Sequence, residues 1–136
     1  MIRKDYILRI VDEFGKFMAK IIGLRLEGKI EEALNEIDNV YDGLIEADPR
    51  VLKSIKTKAL LPFLIDEKGF NNQYLRMIAD LHFEEGMLYI ENGDPVSARN
   101  VMEKARVLIT YLMDNDSIVS FDWQEKLRMI EELLAD

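Results

Sequence analysis

The sequence predicts an all-α protein made of antiparallel helix pairs. Three observations point there. Apolar residues recur at intervals of three and four through most of the 136 positions, the period of a helix with one face turned inward. The clearest breaks, Gly28 and the triplet Gly93-Asp94-Pro95, are helix stops and starts rather than strand turns. Only three prolines and seven glycines interrupt the chain, and 49% apolar residues against 32% charged suits amphipathic helices and not disorder. A single domain, residues 1–136, is long enough to bury a substantial core.

Taken in order, residues 5–26 form a first helix with Tyr6, Ile7, Ile10, Val11, Phe14, Phe17, Met18, Ile21 and Ile22 on a wide apolar stripe. Asp5 is placed to cap it, or the helix begins a residue or two earlier, and Gly28 is placed to end it. A second helix over 30–47 turns Ile30, Ala33, Leu34, Ile37, Val40, Leu44 and Ile45 inward. Asp48-Pro49 starts a third helix that runs through Val51, Leu52, Ile55, Ala59 and Leu60 until Pro62 ends or kinks it. Residues 63–69 read as a helical tail or a turn. Asn71 or Asn72 caps a fourth helix running to Asn92, with Leu75, Ile78, Leu81 and Tyr89 on one apolar face and Phe83, Met87 and Ile90 on another. The fifth, to about Met113, buries Ala98, Val101, Met102, Ala105, Leu108, Ile109 and Leu112. Beyond the polar break at 114–120, Asp122 and Glu125 suggest a capping box for a last helix, 123–134, striped by Trp123, Leu127, Ile130 and Leu134.

Within residues 81–106, Gly86 and Tyr89 lie three apart, Gly93 marks a turn, and Ala98, Met102 and Ala105 follow at helical spacing. This pattern resembles a tetratricopeptide repeat, whose signature runs Leu-Gly-x-x-Tyr, then Ala, then a bulky residue, on a period of about 34 residues. Glu85 stands where that signature has leucine, and no proline closes the unit. Small residues at Gly86 and Ala98 let two helices approach closely. The same device opens the second helix: Gly28, Ala33 and Ile37 repeat the spacing of Gly93, Ala98 and Met102, sixty-five residues earlier. The resemblance covers residues 75–112 and extends to 10–47. It implies a short right-handed tetratricopeptide-like array, closed by a C-terminal capping helix, whose work is protein binding or scaffolding. Residues 5–9, Asp-Tyr-Ile-Leu-Arg, are also similar to the start of a group of small bacterial proteins, a likeness that brings no function.

Composition narrows the chemistry. With 26 acidic against 18 basic residues the net charge is −8, which gains nothing from nucleic-acid phosphates. Charge alternates by helix: six basic and three acidic residues over 1–26, one and eight over 27–48, six and three over 49–80. The chain has no cysteine, which excludes disulfides, thiolate nucleophiles and cysteine-ligated zinc. The longest apolar run, 59–65, is too short to span a bilayer, and charged residues at 5, 9, 12 and 13 spoil any signal peptide. The expected location is cytoplasmic, with no membrane and no nucleic-acid partner.

No catalytic, cofactor or metal residue is assigned. His82, the one histidine, lacks a visible nucleophile or further ligands and reads as a polar helix-surface residue. Glu32, Glu36, Asp38, Asp42 and Glu46 lie mostly opposite the apolar stripe and lack the Glu-x-x-His pairing of a di-metal bundle, so they read as a solvated face, and residues 38–43 fail the calcium-loop pattern. Arg50, Lys53, Lys56 and Lys58 lack interleaved aromatics for base stacking. The candidate site is a partner-binding face at Phe83, Met87, Ile90 and Glu91, because methionine adapts and aromatics anchor at interfaces. The expected partner is a protein or peptide. The alternative is a structural, self-associating homodimer without an open peptide groove.

Overall fold

In a computed structural model the backbone is described for residues 2–117 and 121–135, and the side chains for 4–117 and 122–135. The described residues form seven α-helices and no strand: α1 (Ile2–Leu26), α2 (Ile30–Val40), α3 (Pro49–Ser54), α4 (Thr57–Pro62), α5 (Asn72–Glu91), α6 (Pro95–Asn115) and α7 (Phe121–Leu134). Wide turns at Tyr41–Ile45 and Phe63–Glu67 prolong α2 and α4.

The two sequence breaks fold alike. Gly28 (φ 77°) donates to the Arg25 carbonyl at 3.0 Å while Lys29 donates to that of Leu24 at 2.9 Å. Gly93 (φ 72°) and Asp94 repeat this on Ile90 (3.1 Å) and Tyr89 (2.9 Å). Both are Schellman caps, whose left-handed residue is nearly always glycine. The next helix starts two residues on in each case. Asp48, Asn71 and Asp94 cap α3, α5 and α6 by accepting from the backbone N–H of Arg50, Tyr74 and Ser97.

α5 is central: it packs against α6 most extensively and also meets α2 and α1, while α1 pairs with α2, and α6 carries α4 and α7. Arg25 near the end of α1 reaches Glu84 and Glu91 in the second half of α5, Tyr41 just beyond α2 meets His82, and Lys20 pairs with Glu36, so α2 runs against both α1 and α5 and those two run the same way. α7 shares that direction, with Lys126 on Asp80 and Leu134 on Arg99. The core is continuous, from Ile10, Phe14 and Ile21 through Ile37, Ile78 and Leu81 to Leu108, Trp123 and Ile130. All seven residues expected inside the fifth helix are buried. Nearest the seam, a Cβ on Gly86 would lie 2.6 Å from Cε and 2.9 Å from Cγ of Met102.

Several boundaries differ from expectation. The first helix begins at Ile2, not Asp5. The second leaves regular α geometry at Tyr41, and the chain turns at Glu46, left-handed at φ 62°, before 47. The expected third helix is two helices, because Ile55 and Lys56 are extended; Pro62 ends α4 as expected, and a wide turn takes the place of the undecided tail. Asp122 is no cap: α7 starts one residue earlier, and Asp122 pairs with Lys126 at 3.0 Å. Residues 118–120 of the polar break lie outside the described residues. Trp123 and Ile130 are buried, with Leu127 and Leu134 half-buried against the core. Among the described residues no helix is long and apolar enough to cross a membrane.

Candidate protein-interaction surface

The second apolar face of α5 is shared between the interior and solvent. Phe83 is buried, with the Lys126 ammonium of α7 5.2 Å from its ring centre; Lys126 also holds Asp80 at 3.0 Å. Met87 is half-buried. Ile90, 37% exposed, faces outward, and Glu91 beside it is exposed and bonded to Arg25 at 3.4 Å. The structure therefore separates the four expected residues: Phe83 is covered, while Ile90 and Glu91 are accessible.

Ile90 lines an open groove of about 450 Å³ between the α5–α6 turn and the end of α7. Val96 (80% exposed) and Leu133 (37%) form its rim, and Met102 and Ala98 its floor. Sequence reasoning missed Val96 and Leu133. The signal was available: Leu133 is off the Trp123–Leu127–Ile130–Leu134 stripe, and Val96 follows Pro95 on the outward side of a first turn. Arg99, also on the groove, donates to the Leu134 carbonyl at 3.2 Å and so ties α6 to the end of α7.

Behind the groove, α5 carries a buried polar cluster that corrects the reading of His82 as a surface residue. His82 is 2% exposed; its Nδ1 lies 2.5 Å from the Tyr41 hydroxyl and 3.0 Å from the Ile78 carbonyl. Burial lowers its pKa to about 4, against the Ile78 carbonyl, which favours the protonated ring. Tyr41 is likewise pushed well up, by burial first and then by the Glu85 charge. Glu85 is 3% exposed and its carboxyl is raised to about 7, chiefly by burial; its hydrogen bond, from the Tyr89 hydroxyl, is long at 3.4 Å. Glu84, by contrast, holds Arg25 at 3.1 Å.

Lys104 of α6 is 1% exposed and donates to the carbonyls of Leu52 (2.7 Å) and Lys53 (3.1 Å), the unsatisfied end of α3. This residue, too, was not singled out from the sequence. The His82 ring is engaged by the Tyr41 hydroxyl and the Ile78 carbonyl, and Lys104 by two carbonyls of α3, so these buried polar groups join α5 and α6 to their neighbours. Among the described residues no three His, Cys, Asp or Glu side chains are gathered to hold a metal ion. Comparison with protein-family models, curated proteins and solved structures found no match.

Proposed function

We propose that this chain is a non-enzymatic protein-binding module, a short tetratricopeptide-like array, that takes a peptide segment with apolar anchors and basic flanks. The observation carrying this reading is the groove at Ile90, Val96 and Leu133: three large apolar side chains exposed together around a concave floor. The charge of the chain as a whole selects the flanks. Glu91 and Glu132 adjoin the lining residues in sequence and are exposed, paired with Arg25 and Arg128 as Arg99 is with Glu103, so the local charges balance and the excess of acid is that of the whole chain, −8. The repeat reading draws support from the paired caps at Gly28 and Gly93, from buried Ala33 and Ala98 at matching positions, and from the shared direction of α1, α5 and α7. In that reading α7 closes the exposed end of the array.

Selection from a displayed peptide library, run in parallel against the wild type and a Val96→Glu/Leu133→Glu variant, tests it. Enriched peptides should carry at least two large apolar residues flanked by Lys or Arg, and should lose at least tenfold in affinity on the variant. Peptides that bind both proteins equally, or acidic ones, overturn the assignment. A dimer seen by light scattering for the wild type and abolished in the variant would instead give the groove to a second copy of the chain.

A further inference from the structure

Helix α4 and the wide turn that prolongs it carry an outward face whose charges have no use within one copy of the chain. The backbone is helical from Thr57 to Glu67, with Leu60 and Leu64 turned into the core. On the outer side Ile55, Ala59, Pro62, Phe63, Asp66 and Glu67 line one shallow groove of about 310 Å³. Lys56, the N-cap residue of α4, stands at the head of this face with Lys58 beside it, and Asp66 and Glu67 stand at its foot. All four are exposed. Among the described residues none of these four side chains has an ion-pair or hydrogen-bond partner. The neighbouring cations are engaged elsewhere. Lys53 holds Asp38 at 3.5 Å, and Lys68 donates to the Glu46 carbonyl at 3.0 Å while lying 5.6 Å from the Phe70 ring centre.

This order of charge is the reverse of what a helix favours on its own. The macrodipole makes the N-terminal end positive and the C-terminal end negative, so cations at the head and anions at the foot are both mildly unfavourable. A second copy running antiparallel removes the conflict. With a two-fold axis midway between Ala59 and Phe63, Lys56 stands opposite Asp66 of the second copy, and Ala59 stands opposite its Phe63. Small then meets large at the centre, and unlike charges meet at both rims. An isologous contact requires this property, a patch complementary to itself. We propose that the face from Lys56 to Glu67 is the contact through which two copies of this chain pair, antiparallel along α4. A face one helix wide falls short of the roughly 800 Å² per partner that a stable interface buries. The pair is therefore weak and forms in concentrated solution, while the monomer, with Lys56 open, prevails when dilute. None of these residues borders the groove at Ile90, so the pairing stands apart from the peptide reading.

Sedimentation equilibrium of the full chain, from micromolar to millimolar concentration, reads the pairing. At physiological ionic strength the Debye length of about 8 Å screens the general repulsion between acidic chains and leaves contact pairs intact. The average mass of the wild type should climb with concentration toward twice that of one chain. Lys56→Glu/Lys58→Glu makes the face wholly acidic and Asp66→Lys/Glu67→Lys makes it wholly basic, so each variant alone should associate at least tenfold more weakly. Mixed in equal amounts, the two should pair again. A wild type that stays monomeric throughout overturns the proposal, as does a mixture that associates no better than either variant alone. Val96→Glu/Leu133→Glu should pair as the wild type does; loss of pairing there moves the contact to the other groove and overturns this one. Should a charge variant not fold, carbodiimide cross-linking of an equal ¹⁴N and ¹⁵N mixture of the wild type decides. A mixed-isotope link from Lys56 to Asp66 or Glu67 is expected, and mixed links only at other residues overturn the assignment.

Discussion

Glu85 and His82 stand one turn apart on α5, both buried, and their titrations pull stability in opposite directions. His82 titrates at about 4 folded and 6.5 unfolded, so its contribution is complete above 6.5 and is lost as pH falls through 4. Glu85 titrates at about 7 folded and 4.5 unfolded, so its contribution is complete below 4.5 and is lost as pH rises through 7. Each is of the order of 3 kcal/mol. Between 4.5 and 6.5 the two slopes cancel, and the wild type should show a flat profile there. Glu85→Gln should unmask the histidine, with urea-unfolding stability rising by about 2–3 kcal/mol from pH 4 to 6.5, whereas His82→Asn should unmask the acid and fall over 4.5 to 7. Profiles of the two variants that run parallel would contradict the paired assignment. These residues were legible by position. Glu85 sits four after Leu81 and three before Leu88, and Lys104 three after Val101 and four before Leu108, on the inward stripes. Residue type argued for solvent and helical register argued for the core; register prevailed because Lys104 and His82 found partners across helix seams and Glu85 the Tyr89 hydroxyl one turn along α5.

Among the elements, the α5–α6 seam makes the sharpest demand on one side chain. All three outer atoms of Met102 lie within 2.9 Å of where a Gly86 Cβ would sit, and Met102 is itself enclosed. Gly86→Leu should therefore cost about 1–3 kcal/mol by overpacking. Gly15 in α1 has nothing within 4 Å of its Cβ position, and Gly15→Ala should gain roughly 0.5–1 kcal/mol from helix propensity. Thermal melts of both, against wild type, check the pair; shifts of the same sign would refute the close approach. At the other end of α6, truncation after Ser117 removes Trp123 and Ile130 from the core, where burying each yields about 1.5–3 kcal/mol. The shortened protein should aggregate, and a folded monomer by light scattering would show that α7 serves association instead. Element existence was readable because long stripes repeat at helical period. The α3–α4 split was not, since nothing at Ile55-Lys56 carries a break signal and only the packing of α4 on α6 demands it.

Over the whole molecule, the first and fourth predicted helices are joined by a contact no local pattern announces. Arg25, at the foot of α1, meets Glu84 and Glu91 on α5, fifty-nine and sixty-six positions away. Glu84 is buried, so Arg25→Met leaves a carboxylate without its cation and should cost about 3 kcal/mol. Adding Glu84→Gln should recover most of that loss in denaturant titrations, and no recovery would place Arg25's role elsewhere. Helix order and the common cap at Gly28 and Gly93 were foreseeable from spacing. Which face of α5 stayed open was not, because it depends on where α7 lies, and the segment before α7 has no apolar period to direct it.

The extended pair Ile55-Lys56 between two six-residue helices also has a chemical address. Lys53, Lys56 and Lys58 are exposed around it, whereas most other lysines and arginines lie within long helices that a protease cleft, which binds extended chain, does not accept. Brief trypsin treatment of the native protein should therefore cut first after Lys56. The two pieces should stay together on a sizing column, because α1–α2 and α5–α6 clasp each other through Ile37, Tyr41, Ile78 and His82, independently of the severed link.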